Sequence, residues 1–320
     1  MMDTTLIKTL IVSVALMVAT LLIYPYFKDS SRGPIAEWHM INVNIGGQQG
    51  DANLLVVGDQ VVMIDAGKNE IGYSAVVPYL EKFGIKQIDH FFISNPGDAY
   101  YGGMVAILDS GIPIARIYHH RDAELAINSK QYRHWYRESL QFASDKGAEV
   151  IAVGQGFTVD LPSDSRIEVV YAQESTQIKN GKPMIDASLI VKFEISESSV
   201  LFAADADRRL GKSLSDLPGI RAEFLKMPHP GEDNPAPAKL YDAVNPDFVL
   251  VPGPKRRWCG DPGKVAREWT IKKQVPTWVT GSNGHIRVIW RPGEVLIAPQ
   301  YDDGRCKMKT FGSVQVKRES

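Results

Sequence analysis

The sequence predicts an α/β protein in which two sheets, each with helices on its outer face, pack as a four-layer αββα sandwich behind an N-terminal transmembrane helix. Three observations predict it. Short β-branched runs bounded by turn residues alternate with segments whose apolar residues recur at helical spacing. The two halves share one plan, strand hairpins followed by strand–helix units. One uncharged apolar stretch stands ahead of both.

That stretch, Thr9 to Tyr26, is eighteen residues without a charge. At helical rise it spans about 27 Å, close to the hydrocarbon thickness of a bilayer. Tyr24 and Tyr26 fall where interfacial aromatics belong, and Lys28 and Arg32 follow. A cleaved signal is the competing reading. The length of the run, the barely basic segment before it and the lack of a small-x-small site before Asp29 favour an uncleaved single-pass anchor. The expected organisation is a short segment 1–8, an anchor 9–26, a linker 27–36, a domain 37–300 and a charged, loose tail 301–320.

Within the domain, WHMINVNI reads as a strand, and NLLVVG with QVVMIDAG as a hairpin around Gly58-Asp59. SAVVPYLEKFGI is helical and closes on Gly84. IDHFFIS is a buried-type strand, GGMVAILDSG a short helix and ARIYHH a strand. Residues 122–147 read as helical and lead into EVIAVGQG. In the second half RIEVVYA, ASLIVKFEI and SVLFAADA are strands, the last two a hairpin. RRLGKSLSDL is helical, AEFLKM a strand, and PAPAKLYDAV a helix with prolines in its first turn. DFVLVPG is a strand, PGKVAREWTIKK a helix, and PTWVTG, HIRVIW and EVLIAP are closing strands.

Composition sets further bounds. A chain of 320 residues, 44% hydrophobic and 23% charged, is an ordinary globular protein with ample core. A net charge of −1 gives no global attraction to nucleic acid or acidic lipid, so such contact needs a local patch. Two cysteines, Cys259 and Cys306, exclude a disulfide framework and a Cys-rich zinc site. They would form one bridge in an oxidising compartment or remain two thiols; the sequence leaves both open.

Several short signatures then occur in order: QGDANLLV, VVMIDAG, VVPYLEKFGIKQIDHFFIS, the Gly102-Gly103 pair, SLIVKFEI, LFAADAD, FLKMPHPG and VPTWVTGSNGHIRV. Together they resemble the metallo-β-lactamase fold, and more narrowly the hydrolase domain of ComEC-type competence (DNA-uptake) proteins. The resemblance runs from about His39 to Pro299. It implies a dinuclear metal site for phosphodiester-type hydrolysis and a domain on the extracytoplasmic side of the membrane. The Lys/Arg count around the anchor does not decide that orientation.

The residues depart from the family's metal loop. Its first histidine falls at Asn95, the next ligand at Gly97, the aspartate at Ala99 and the last histidine at Tyr100. Gly97 and Ala99 carry no side-chain donor, Asn95 only an amide oxygen, and Tyr100 a phenol that ionises near pH 10. Asp98 lies one residue out of register. The family's bridging aspartate matches Asp205, and its His-His-Gly matches His229-Pro230-Gly231. Gly260-Asp261-Pro262 replaces a Gly-His-Pro, and Thr280-Gly281 a Thr-Asp. Asp205 and His229 remain, and two donors hold an ion weakly. With Asp98 or Asp65 they would make a residual site for zinc, manganese or magnesium. The expectation is therefore a metal-free pseudoenzyme with no cofactor, and a reduced hydrolase around Asp205 and His229 is the alternative.

Other features point to binding. Lys255, Arg256, Arg257 and Trp258 follow a strand at the border of the pocket in this fold, and would grip a phosphate-bearing ligand or stack a base of nucleic acid. Arg208-Arg209 would neutralise Asp205 or extend that patch. His119 and His120, adjacent on a strand, point to opposite sides and cannot easily share an ion. Neither Gly154-Gln155-Gly156 nor Gly46-Gly47 precedes a Lys-Ser/Thr helix start, so neither is a phosphate loop. Ser94 and Ser188 form no recognisable nucleophilic arrangement with histidine. Residues 122–148, rich in Tyr, Trp and Arg, are either a partner surface or a helix that packs Tyr132, Trp135 and Phe142 into the core.

Overall fold

The computed structural model describes residues 33–45, 49–174, 183–228, 235–302 and 312–318. The expected anchor, and the residues His229 and Cys306, lie outside them. Among the described residues no helix is long and apolar enough to cross a membrane.

In the first half, β1 (Ala36–Met40) pairs antiparallel with β2 (Ala52–Val57), which turns through Gly58, φ 59°, into β3 (Gln60–Ala66). The left-handed backbone of that turn is accessible to glycine at little cost. The chain is then helical as α1 (Asn69–Ile71), a π-helical stretch (Gly72–Val76) and α2 (Val77–Lys82). Pro78, which has no N–H to give, sits where the wider coil hands over to the α-helix. Next come β4 (Ile88–Phe92), α3 (Asp98–Asp109), β5 (Ile114–His120), α4 (Ala123–Ala126), α5 (Lys130–Asp145) and β6 (Glu149–Val153). Strands β3 to β6 run parallel.

The second half repeats this order. An antiparallel meander of β7 (Thr158–Leu161), β8 (Ser165–Ala172), β9 (Leu189–Ile195) and β10 (Ser198–Phe202) carries the short helix α6 (Pro183–Asp186) between β8 and β9. Strand–helix units follow: α7 (Arg208–Leu214), β11 (Phe224–Lys226), α8 (Ala238–Val244), β12 (Phe248–Val251), α9 (Lys255–Cys259), α10 (Lys264–Lys273) and β13 (Thr277–Val279). Strands β10 to β13 are parallel. After α11 (Thr280–Asn283) the chain returns to the first sheet as β14 (Ile286–Arg291) and β15 (Glu294–Pro299), where β14 pairs with β1.

The described strands form a nine-stranded sheet, β16-β15-β14-β1-β2-β3-β4-β5-β6, and a seven-stranded one, β13-β12-β11-β10-β9-β8-β7. The edge strand of the first sheet comes from the tail expected to be loose: β16 (Val314–Lys317) adds to β15. Its alternation of half-buried valines with exposed Gln315 and Lys317 lets a charged segment cover one apolar face.

Period-2 alternation builds the four layers. On β9, Leu189, Val191, Phe193 and Ile195 point between the sheets, whereas Ile190 points out to the helices. On β12, Phe248 and Leu250 point in and Val249 and Val251 out. Aromatic edges lock the inner layer: Trp38 meets Phe202 at 5.2 Å and Trp290 meets Phe224 at 5.7 Å between ring centroids. Separate apolar clusters join each sheet to its own helices, so the described residues form the expected αββα sandwich.

Candidate functional site

The candidate site lies at the C-terminal ends of the parallel strands, where α/β sheets expose loop residues to a crevice. β3 delivers Asp65, the loop after β4 delivers Ser94 and Asn95, α3 delivers Tyr100, the loop after β10 delivers Asp205, and β11 delivers Lys226. Two residues at the ends of these strands have left-handed backbone that side chains rarely adopt, Asp65 at φ 63° and Ala204 at φ 44°. Such strain persists only where surrounding bonds hold it. At Asp65 the Ser94 backbone N–H donates to Oδ1 at 2.8 Å and the Ser94 hydroxyl to Oδ2 at 2.5 Å.

The positions that match the family's metal loop are built for other work. Asn95 is buried and its amide is used at both ends. Its Nδ2 donates to the Met184 carbonyl at 2.8 Å and to Ser188 Oγ at 3.0 Å, and its Oδ1 accepts the Gly97 N–H at 2.9 Å. A Cβ at Gly97 would begin 3.1 Å from Asn95 Oδ1 and 3.3 Å from Met184 Cε, a tight fit that the side chains of Asn95 and Met184 would have to ease. Tyr100 is buried and hydrogen-bonds Asp205. Burial first, then the charges of Asp205, Asp51 and Asp65, hold its hydroxyl protonated far above the usual tyrosine range. A phenol kept neutral in this way is a hydrogen-bond donor, not a metal ligand.

The residual ligand set offered by the sequence does not assemble from the described residues. Asp98 faces solvent on the far side of α3, 3.8 Å from Lys68, and not the site. Among the described residues no group of three His, Cys, Asp or Glu side chains is placed to hold a metal ion. The position where the resemblance expects a later aspartate is closed as well. A Cβ on Gly281 would fall 2.3 Å from the Lys255 backbone nitrogen and 2.6 Å from the Gly253 carbonyl oxygen. Among the described residues, therefore, the donor set does not fit a dinuclear metal centre, and His229 lies outside them.

Sequence reasoning missed the centre of the site. Asp51 and Lys226 are both buried and form an ion pair across the two sheets, and Lys226 also donates to the Ala204 carbonyl at 3.1 Å. The available signal was alternation: Phe224 points into the inter-sheet core, so Lys226, two residues on, must point the same way. An unpaired ammonium there would be prohibitively costly, which demands a carboxylate opposite. Asp65 lies beside this pair. Burial, then the Asp51 charge, push its carboxyl up to about 7, against the lowering effects of Ser94 and Lys226.

Other expected residues are placed as follows. Arg209 pairs with the buried Asp186, not with Asp205, and Asp207 caps α7 by accepting the Arg209 and Leu210 backbone N–H groups at 2.9 Å. Lys255, Arg256 and Arg257 form the short helix α9. Trp258 is 1% exposed and packs into the outer core behind β12, so it cannot stack on a base. The histidines of β5 diverge as expected. His120 Nδ1 accepts the Asp122 N–H at 3.0 Å and its Nε2 faces the Gln173 carbonyl at 3.0 Å, whereas the His119 ring turns towards Tyr136. Burial lowers His120 to about 4, so its imidazole is neutral near pH 7.

No family profile matches the chain. A curated relative, ComE operon protein 3 of Bacillus subtilis (strain 168), is 20% identical over 236 residues. The match covers 72% of this chain and 29% of the relative, so the chain spans less than a third of that protein's length. Among solved structures, the metallo-β-lactamase-fold protein YhfI from Bacillus subtilis is similar with a TM-score of 0.50 and 10% identity, over 76% of this chain and 96% of that one. A diphosphatase of the PhnP family is similar with a TM-score of 0.44 and 9% identity, over 76% of this chain and 94% of that one. Two mixed sheets with helices outside and the likeness to YhfI make this chain a metallo-β-lactamase-fold protein, with a sequence similarity that reaches the ComEC-type competence proteins.

Proposed function

We propose that this chain is a metal-free binding module on a metallo-β-lactamase frame, held at a membrane by residues 9–26. One observation carries the reading. Asp205, which stands at the family's bridging position, is hydrogen-bonded by the neutral phenol of Tyr100, itself at the position of a lost histidine. A dinuclear hydrolase needs that carboxylate between its two ions and a bound water to activate. Here a phenol occupies it, and Asn95 and Gly97 are tied into the protein.

The ligand expected at the pocket mouth is a partner protein or a phosphate-bearing molecule, with charge supplied by Lys255, Arg256 and Arg257. Burial of Trp258 removes the aromatic platform that nucleic acid would have used, which weighs against a single-strand reader. Cys259 is disulfide-bonded, and disulfides persist in oxidising compartments. Together with the ComE operon relative, this favours a domain on the oxidising side of the membrane.

The test is elemental mass spectrometry on the full chain purified in detergent without chelator, beside the double variant Asp205→Ala, His229→Ala. The expected result is no near-stoichiometric metal in either, even after incubation with zinc or manganese. Stoichiometric metal in the parent that is lost in the variant would overturn the proposal. It would restore a phosphodiester hydrolase with a reduced site around Asp205 and His229.

A further inference from the structure

Helix α5 carries aromatic residues that the proposed function leaves unused. The core takes Tyr136 from this helix and leaves Tyr132 52% and Trp135 47% exposed. Their rings meet edge-to-face at 5.3 Å and 65°, which steadies the indole in one orientation. A large exposed ring held in this way is the kind of residue that dominates binding surfaces.

The indole forms one wall of a cleft. Helices α3 and α5 touch where Tyr101 meets Tyr136, at 5.0 Å and 84°, and leave an open volume of about 510 Å³ towards solvent. Asp98, Tyr101 and Val105 line it from α3, and Trp135, Glu138 and Phe142 from α5. Each set has the i, i+3, i+7 spacing of one helix face. Glu70 adds a third carboxylate. The lining holds three acids and no Lys, Arg or His, in a chain with 36 basic and 37 acidic residues overall, so its sign is a local property. The neighbouring basic side chains are loosely held. Lys68 lies 3.8 Å from Asp98 and His134 3.8 Å from Glu138, long contacts at the surface that are worth little. The Phe142 ring already attracts one ammonium, with Lys146 Nζ 5.3 Å from its centroid.

We propose that this cleft docks a short basic segment of a partner protein. An arginine or lysine side chain lies along the Trp135 face and directs its charge between Glu70, Asp98 and Glu138. The aromatic wall supplies cation–π attraction and buried area, and the carboxylates select the sign of the partner. Helix α3 turns Tyr100 inward to Asp205 and turns Asp98 and Tyr101 into this cleft. The inference therefore stands apart from the metal question and survives either outcome of that test.

Calorimetric titration of the full chain in detergent with tetra-arginine amide, and separately with tetra-lysine amide, tests it. Tetraglutamate is the control peptide. Saturable binding of a basic peptide is expected, weakened about tenfold by Trp135→Ala. Glu138→Gln should also weaken it, as should raised salt. Both residues are exposed, so an unchanged thermal midpoint will show that the variants fold. Glu197→Gln, which removes an exposed carboxylate in the turn between β9 and β10, should leave binding unchanged. The proposal falls if neither basic peptide saturates at millimolar concentration, or if Trp135→Ala binds like the parent. It also falls if Glu197→Gln weakens binding as much as Glu138→Gln, because that outcome means general attraction to the surface.

Discussion

Asp65 shows how one buried side chain can couple the site to pH. It is fully buried, its backbone is left-handed, and its carboxyl is raised to about 7 by burial and by Asp51. An unfolded aspartate releases its proton near pH 4, so between about 4 and 7 the folded chain holds one proton more than the unfolded chain. Stability must therefore fall as pH rises through that window. The contribution is fully present below about pH 4 and gone above about 7. The loss is up to about 1.4 kcal/mol per pH unit from this group. In Asp65→Asn the amide oxygen still accepts the Ser94 N–H and the amide nitrogen donates to the Ser94 hydroxyl. We expect this variant to lack the slope, and denaturant midpoints of both chains at pH 5 and pH 7.5 would show it. Parallel pH profiles would mean that Asp65 is ionised throughout.

At the scale of an element, α3 is placed by absent side chains. The Gly103 N–H donates to the Gly67 carbonyl at 2.8 Å, and a Cβ on Gly103 would lie 2.0 Å from the Ala66 carbonyl oxygen. The helix is thereby laid directly on the end of β3, which sets how far Tyr100 reaches towards Asp205. Because the obstacle is backbone, it cannot rotate away. Gly103→Ala should cost about 3 kcal/mol or more, read as a lowered denaturant midpoint. A loss below about 1 kcal/mol would show that α3 can lift off the strand. In the sequence the Gly102-Gly103 pair reads as a helix opening, but α3 begins at Asp98 and carries the pair in its second turn; its reason is this contact with a strand some forty residues earlier.

At the scale of the molecule, the two halves share one apolar core between the sheets, and polar ties between distant segments fix how they meet. The Asp51–Lys226 pair bridges the sheets, and β14 and β15 cross from the second half to pair beside β1. Trp290 on β14 donates to Ser198 Oγ at 2.8 Å and so ties that return to the second sheet. Cys259 on α9 is also disulfide-bonded. Closing a loop of the unfolded chain in this way stabilises by about 2–4 kcal/mol. Reductant should lower the parent's denaturant midpoint, and Cys259→Ser should start from the lowered value and ignore reductant. A parent midpoint unmoved by reductant would show that the tie is thermodynamically idle.

Much of the fold was determined by the sequence alone, because strand and helix periods are local. The β2–β3 hairpin around Gly58, the buried strands Ile88–Phe92 and Leu189–Ile195, and the repeated order of units all follow from short-range patterns. The vacated ligand positions Asn95, Gly97, Ala99 and Tyr100 were legible for the same reason, as residue types without the needed donors. What the sequence left open was decided by contacts between distant segments. Trp258 sits in a basic run that reads as surface, yet packing behind β12 buries it; Tyr132 and Trp135 read equally well as core, and only the placement of α5 against α3 exposes them. Lys226 and Asp51 lie 175 residues apart, and no local pattern pairs them. Their pairing waits on two sheets closing face to face, which excludes water from both charges at once and leaves each to be compensated by the other.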